Sequence, residues 1–145
     1  MALDRKFILV IDDSSTIRTL VGEMLSRHGH QTLESESVEL VFTDMERVEF
    51  DLVVIDIFMP GMGGIEGIAR IRENWPDVKI IAISAGVDEM DKEKALRAAA
   101  IQGADMTLAK PFTEEELIGA VEGLLSGKNE AGGAKRKARP RRAKP

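Results

Sequence analysis

Five positions along the chain combine residue type and placement in a way that could do chemistry. Asp12 and Asp13 follow the apolar run FILVI, and Asp56 follows LVVI. Ser84 closes the run from Val78 to Ile83, and Lys110 comes directly after Met106–Ala109. In open parallel sheets, ligands gather at the carboxyl ends of the strands. If these runs are neighbouring strands, three carboxylates, one hydroxyl and one ammonium share a crevice. Three carboxylates against one lysine leave net negative charge, which is costly unless a cation joins them. Hard oxygen donors suit Mg²⁺, an ion that keeps several waters and commonly meets phosphate oxygens. Such a cluster favours phosphoryl chemistry. Taken singly, each residue has a plainer reading: Asp12 and Asp13 as helix-capping acids, Asp56 as a turn residue before Pro60, and Lys110 as a loop lysine beside Pro111. Only their joint arrangement points to a site.

The elements that must position them can be read from periodicity. Phe7–Ile11 has the length and continuous apolarity of a strand buried on both faces. Ile17, Leu20, Val21, Met24 and Leu25 recur at helical spacing, with Ser14 or Asp13 as cap and Gly29 as stop. A weak strand follows at Gln31–Glu34, then a helix capped by Ser37 and carrying Val38, Val41, Phe42 and Met45. Leu52–Ile55 forms a third strand, ending at Asp56 and the turn residues Met59, Pro60 and Gly61. Ile65, Ile68, Ala69 and Ile71 mark a third helix that Pro76 cannot continue. Val78–Ile83 is a fourth strand, and Asp91–Gln102 an Ala-rich helix stopped by Gly103. Met106–Ala109 is a short fifth strand. Thr113 with Glu116 three positions on is a capping box opening a last helix through Leu125. Five strand–helix repeats predict an α/β fold, a parallel sheet covered by helices on both faces.

Composition narrows the function classes. The chain has 145 residues, with 43% hydrophobic and 31% charged, which suits one globular domain. Cysteine is absent and histidine occurs only at His28 and His30. Disulfide frameworks, thiol nucleophiles and Cys- or His-rich metal sites are therefore excluded. No apolar run approaches the ~20 residues that span a bilayer, so no membrane insertion is expected and the cytoplasm is the natural compartment. Charge is unevenly spread: residues 1–126 hold 12 Lys/Arg against 24 Asp/Glu, and residues 127–145 hold eight against one. An acidic domain (1–126) thus precedes a basic tail (127–145) that lacks apolar periodicity and reads as disordered.

The segments VIDDSSTIRTLV, DLVVIDIFMPGMGG, IIAISAG and LAKPF, in that order and spacing, resemble the receiver domain of bacterial two-component response regulators. The resemblance covers residues 6–126. It implies a doubly wound (βα)5 flavodoxin-like sheet with strand order 2-1-3-4-5. It further implies a Mg²⁺-dependent phosphoprotein whose Asp56 accepts a phosphoryl group from a histidine kinase or phosphotransfer protein. By the same resemblance, Asp13 ligates Mg²⁺ directly and Asp12 acts through bound water. Asp56 and the main-chain carbonyl of Phe58 complete the metal set. Lys110 neutralises phosphoryl oxygens, Ser84 hydrogen-bonds the phosphoryl group, and the Lys110–Pro111 bond is cis. Signalling then runs through phosphorylation-controlled binding of a downstream protein target.

Three features depart from the commonest receiver pattern. The switch position three residues before Lys110 is usually aromatic and is here Thr107. Ser84 and Lys110 stand 26 positions apart, which suggests an insertion within Ala85–Lys94. No output domain follows the last helix, so a stand-alone regulator is expected. Two other classes compete. A small aspartyl-phosphate phosphohydrolase lacks support because Phe58, not an acid, stands two residues after Asp56. A nucleic-acid-binding or acidic-partner-binding protein acting through the tail would bind nucleic acid weakly and without sequence preference, since no aromatic residue is interleaved with the basic ones. The expected role is therefore a signalling domain rather than an enzyme.

Overall fold

The structure, a computed structural model, describes residues 7–57, 64–84, 94, 97–100 and 102–126. Strands β1 (Phe7–Ile11), β2 (Gln31–Ser35), β3 (Leu52–Asp56), β4 (Lys79–Ser84) and β5 (Met106–Ala109) form one sheet in the order β2-β1-β3-β4-β5. Every neighbouring pair is parallel. This is the doubly wound flavodoxin-like α/β architecture. The chain returns between strands through α1 (Ser15–Arg27), α2 (Val38–Asp44), α3 (Gly64–Asn74) and helical residues at 97–100; a last helix spans Glu114–Ser126.

Side-chain alternation divides the core into two layers, because successive strand residues face opposite sides of a sheet. Leu9 and Ile11 of β1, Val53 and Ile55 of β3, and Ile80 and Ala82 of β4 pack with Val38 and Val41 of α2 and Ile68 and Ile71 of α3. Ile8 and Val10, Leu52 and Val54, and Ile81 and Ile83 pack instead with Val21, Met24 and Leu25 of α1 and with Leu117, Val121 and Leu124 of the last helix. Runs that are apolar on both faces follow directly from this double coverage.

The helix ends form as their side chains dictate. Ser14 caps α1, its Oγ accepting from the Ile17 N–H at 3.2 Å. Ser37 caps α2 through the Leu40 N–H at 3.1 Å. The Thr113–Glu116 capping box is reciprocal: the Thr113 N–H donates to Glu116 Oε1 at 2.9 Å and the Glu116 N–H to Thr113 Oγ1 at 3.0 Å. Gly29 and Gly103, the two expected helix stops, both adopt positive φ. The sheet boundaries differ slightly from expectation: β2 extends to Ser35, and β4 starts at Lys79 rather than Val78. Hydrogen bonding sets both limits, since the Asp12 N–H pairs with the Ser35 carbonyl and the Val78 N–H turns back to Trp75.

Arg72 near the end of α3 ties that helix to the far side of the sheet. Its guanidinium donates to the carbonyls of Pro76, Val78 and Gly103, and to Asp105 Oδ2 at 2.9 Å. The same Asp105 oxygen accepts from the Ile80 N–H at 2.8 Å. Trp75, just beyond α3, is buried among Phe42 and Phe50, and its indole N–H donates to the Val48 carbonyl at 2.7 Å.

Candidate functional site

Alternation also decides which strand ends converge. Asp12 continues the face of Ile8 and Val10, Asp56 that of Leu52 and Val54, and Lys110 that of Met106 and Leu108. All three extend the layer covered by α1 and the last helix. β1 and β3 are adjacent in register, with Ile11 opposite Ile55, so Asp12 and Asp56 emerge side by side. Asp13, one residue on, is exposed, while Asp12 and Asp56 are buried. Carboxylate oxygens of Asp12, Asp13 and Asp56 lie within 4.8 Å of one another.

Lys110 reaches over this cluster from β5. Its Nζ is 3.7 Å from Asp12 Oδ2 and 3.6 Å from Asp56 Oδ2. The strand end that carries it is fixed by its own N–H, which donates to the Ser84 carbonyl at 2.8 Å. The Lys110–Pro111 bond is cis. One ammonium near three carboxylates leaves the cluster with negative charge in excess. Hard oxygen donors of that number, with room for water at the exposed Asp13, fit a Mg²⁺-class cation.

The β1–α1 loop is held at three points. The Asp12 N–H donates to the Ser35 carbonyl at 3.2 Å, and Asp12 Oδ1 accepts from the Ser14 N–H at 2.9 Å. The third tie comes from a side chain: Arg18 Nη1 donates to the Asp12 carbonyl at 2.7 Å. With Oδ1 occupied, Oδ2 is the oxygen nearest Lys110.

Ser84 is fully buried at the end of β4 and pairs in register with Ala109. By alternation it shares the opposite layer with Ile80 and Ala82. Thr107 pairs with Ala82 and is partly buried, lining a groove with Glu115, Glu116 and Gly119 of the last helix. Ser84 and Thr107 thus stand on one side of the sheet, and Asp12, Asp56 and Lys110 on the other. Phe58, the insertion expected within Ala85–Lys94 (residues 85–93) and the basic tail lie outside the described residues.

Sequence reasoning missed Arg18 and the Arg72–Asp105 pair. Arg18 stands one helical turn beyond the Ser14 cap, a place from which its side chain can fold back on the preceding loop. Its second partner, Glu34 Oε1 on β2 at 3.3 Å from Nε, becomes visible only once β2 is known to lie beside β1.

Fold and cluster together define a doubly wound α/β domain with a cation-ready carboxylate site at the carboxyl edge of its sheet. The model of the response regulator receiver domain matches residues 8–122. The chain belongs to that family, the signalling domains of two-component systems that are phosphorylated on an aspartate. It is 34% identical over 119 residues to the DNA-binding transcriptional regulator NtrC of Azospirillum brasilense, covering 82% of this chain and 24% of that protein. It is 31% identical over 122 residues to the phosphate regulon transcriptional regulatory protein PhoB of Pseudomonas aeruginosa, covering 83% and 52%. The chain therefore spans between a quarter and about half of these relatives. A response regulator from Thermotoga maritima superposes with a TM-score of 0.73 at 29% identity, covering 84% of this chain and 98% of that one. Among the described residues, no helix is long and apolar enough to cross a membrane.

Proposed function

We propose that this domain accepts a phosphoryl group on Asp56 from a phosphohistidine of a histidine kinase or phosphotransfer protein and signals by changed affinity for a downstream protein. The observation that carries the reading is the grouping of Asp12, Asp13 and Asp56 within 4.8 Å, with the Lys110 ammonium 3.6 Å from Asp56. Phosphoryl transfer asks mainly for positioning and for neutralisation of charge on the phosphoryl oxygens. This cluster supplies both.

In the proposed reaction, an Asp56 carboxylate oxygen attacks the phosphorus. The P–N bond to the donor imidazole breaks, its electron pair returns to the ring nitrogen, and an aspartyl phosphate forms. Asp12, Asp13, Asp56 and the main-chain carbonyl of Phe58 would hold Mg²⁺, which when bound supplies positive charge for the phosphoryl oxygens. Lys110 supplies a second positive charge. Burial of Asp56 between β1 and β4 excludes bulk water from one side of the carboxylate. Ser84 ends β4 one position beyond the residue opposite Asp56, so its hydroxyl would swing over the carboxyl edge of the sheet to hydrogen-bond the new phosphoryl group, and Thr107, on the face it leaves, would relay that movement to the groove along β5. The groove is what the downstream partner reads, through a shift between two populated states. Residues 127–145 act as a separate electrostatic appendage and take no part in the transfer.

The test is phosphorylation by acetyl phosphate with Mg²⁺, followed by intact-mass spectrometry. One added phosphoryl group is expected on the wild type and none on Asp56→Asn, because an amide is not a comparable nucleophile. Full labelling of the variant would show that another residue accepts the group.

A further inference from the structure

We infer that Arg18 is a positioning residue for the cation site: it holds the Asp12–Asp13 peptide in the geometry that presents both carboxylates. Asp12 is fixed through its N–H by the Ser35 carbonyl, through Oδ1 by the Ser14 N–H, and through its carbonyl by Arg18 Nη1 at 2.7 Å. The first tie joins two main-chain groups and the second joins the Ser14 main chain to Asp12's own carboxylate, so neither needs another residue's side chain. The third belongs to one side chain. Arg18 is itself anchored, since its Nε donates to Glu34 Oε1 on β2 at 3.3 Å. Its side chain is only 16% exposed, against 41% for Glu34. The guanidinium fork therefore spans from α1 to the end of β1 and the edge strand β2 at once. A planar, five-donor group can do this where a single ammonium cannot. Fixing the Asp12 carbonyl fixes the following peptide plane and with it the place of the Asp13 Cα, leaving rotation about Asp13's own bonds to aim the exposed carboxylate.

The sign of the effect separates positioning from charge. Arg18 is a cation beside a cation site, so if it acted through its charge alone, removing it would tighten Mg²⁺ binding. If it acts by holding the loop, removing it weakens binding, as loss of an outer-layer partner of a metal ligand commonly does. The inference rests on the proposed metal site, and the experiment tells the two apart.

Mg²⁺ binding is measured by calorimetry on the full chain for the wild type, Arg18→Ala, Arg18→Lys, Glu34→Gln and Asp13→Ala, with melting curves for the metal-free proteins. Arg18→Ala is expected to weaken Mg²⁺ affinity about tenfold with unchanged stoichiometry. Arg18→Lys should recover part of the loss, since an ammonium can reach the Asp12 carbonyl but not also bridge to Glu34. Glu34→Gln should give a smaller loss and, if Arg18→Ala does not fold, carries the test with Arg18→Lys. Unchanged or tightened binding in the folded Arg18 variants, alongside a large loss in Asp13→Ala, overturns the positioning role and leaves the metal site standing. Wild-type binding in Asp13→Ala overturns both. A lowered melting temperature with wild-type Mg²⁺ affinity would show that Arg18 only stabilises the fold.

Discussion

Asp13 shows most clearly how the site trades stability for binding. Three carboxylates with oxygens within 4.8 Å of one another repel, and the Lys110 ammonium, close to Asp12 and Asp56, offsets them in part. Asp13→Ala removes an exposed member and no core contact, so the metal-free protein should gain roughly 1 kcal/mol, or about 3–5 °C in melting temperature. Saturating Mg²⁺ should raise the melting temperature of the wild type and leave the variant nearly unmoved. Calorimetric scans with and without the ion check both halves. At this scale much of the site was legible, since Asp12, Asp13, Asp56 and Lys110 all declare themselves as strand-end residues. Three things were not. The cis bond at Lys110–Pro111 is a minority state that local sequence disfavours, and only the family resemblance implied it. Arg18 works through a main-chain carbonyl, which any residue possesses. That Ser84 lies on the opposite sheet face from the carboxylates depends on register.

Element packing makes two glycines in helices behave in opposite ways. A Cβ on Gly67 in α3 would stand 2.7 Å from Val38 Cγ2, and Val38 is fully buried in α2 with a β-branched, stiff side chain. Gly67→Ala should therefore destabilise by about 1 kcal/mol, as overpacking of about 1–3 kcal/mol exceeds a helix-propensity gain of about 1 kcal/mol. Gly119 in the last helix has no neighbour within 4 Å of such a Cβ. Gly119→Ala should stabilise by about 0.5–1 kcal/mol. Urea unfolding of the two variants checks the pair, and equal signs would contradict the α2–α3 contact. Both glycines fall inside helices that periodicity predicts, but only the packing of α2 on α3 distinguishes them. A surface link joins α1 to the last helix: Arg27 Nη2 meets Glu114 Oε1 at 2.7 Å, with His28 nearby at 3.3 Å. The Arg27 hydrogen bond, outweighing partial desolvation, holds the Glu114 carboxyl below its ordinary value of 4.5. A carboxyl with a lowered folded value contributes stability above its unfolded value and loses it as pH falls through the folded one. The advantage of wild type over Glu114→Gln should thus be present near neutral pH, shrink on acidification below 4.5 and weaken in high salt. Melting curves across that range check it.

At the scale of the whole molecule, charge divides the chain into an acidic domain and a basic stretch at residues 127–145. The five-stranded order and the two core layers were legible in part. Doubly buried strands and helix spacing predicted a parallel sheet, whereas the order β2-β1-β3-β4-β5 came from resemblance and was then observed. Deleting residues 127–145 should leave phosphorylation kinetics unchanged, because every residue of the carboxylate cluster lies before them. DNA binding by the full chain should be weak, indifferent to sequence and lost as salt rises. Tight, salt-resistant binding in a filter or anisotropy titration would contradict that. All of the proposed signalling depends on Asp56 being the acceptor. Borohydride reduces an aspartyl phosphate to homoserine and spares a free carboxylate. Peptide mass spectrometry of the Mg²⁺- and acetyl-phosphate-treated, borohydride-reduced protein should find homoserine at position 56. Homoserine at position 12 or 13, or stable label on a residue that resists reduction, would show that Asp56 is not the acceptor.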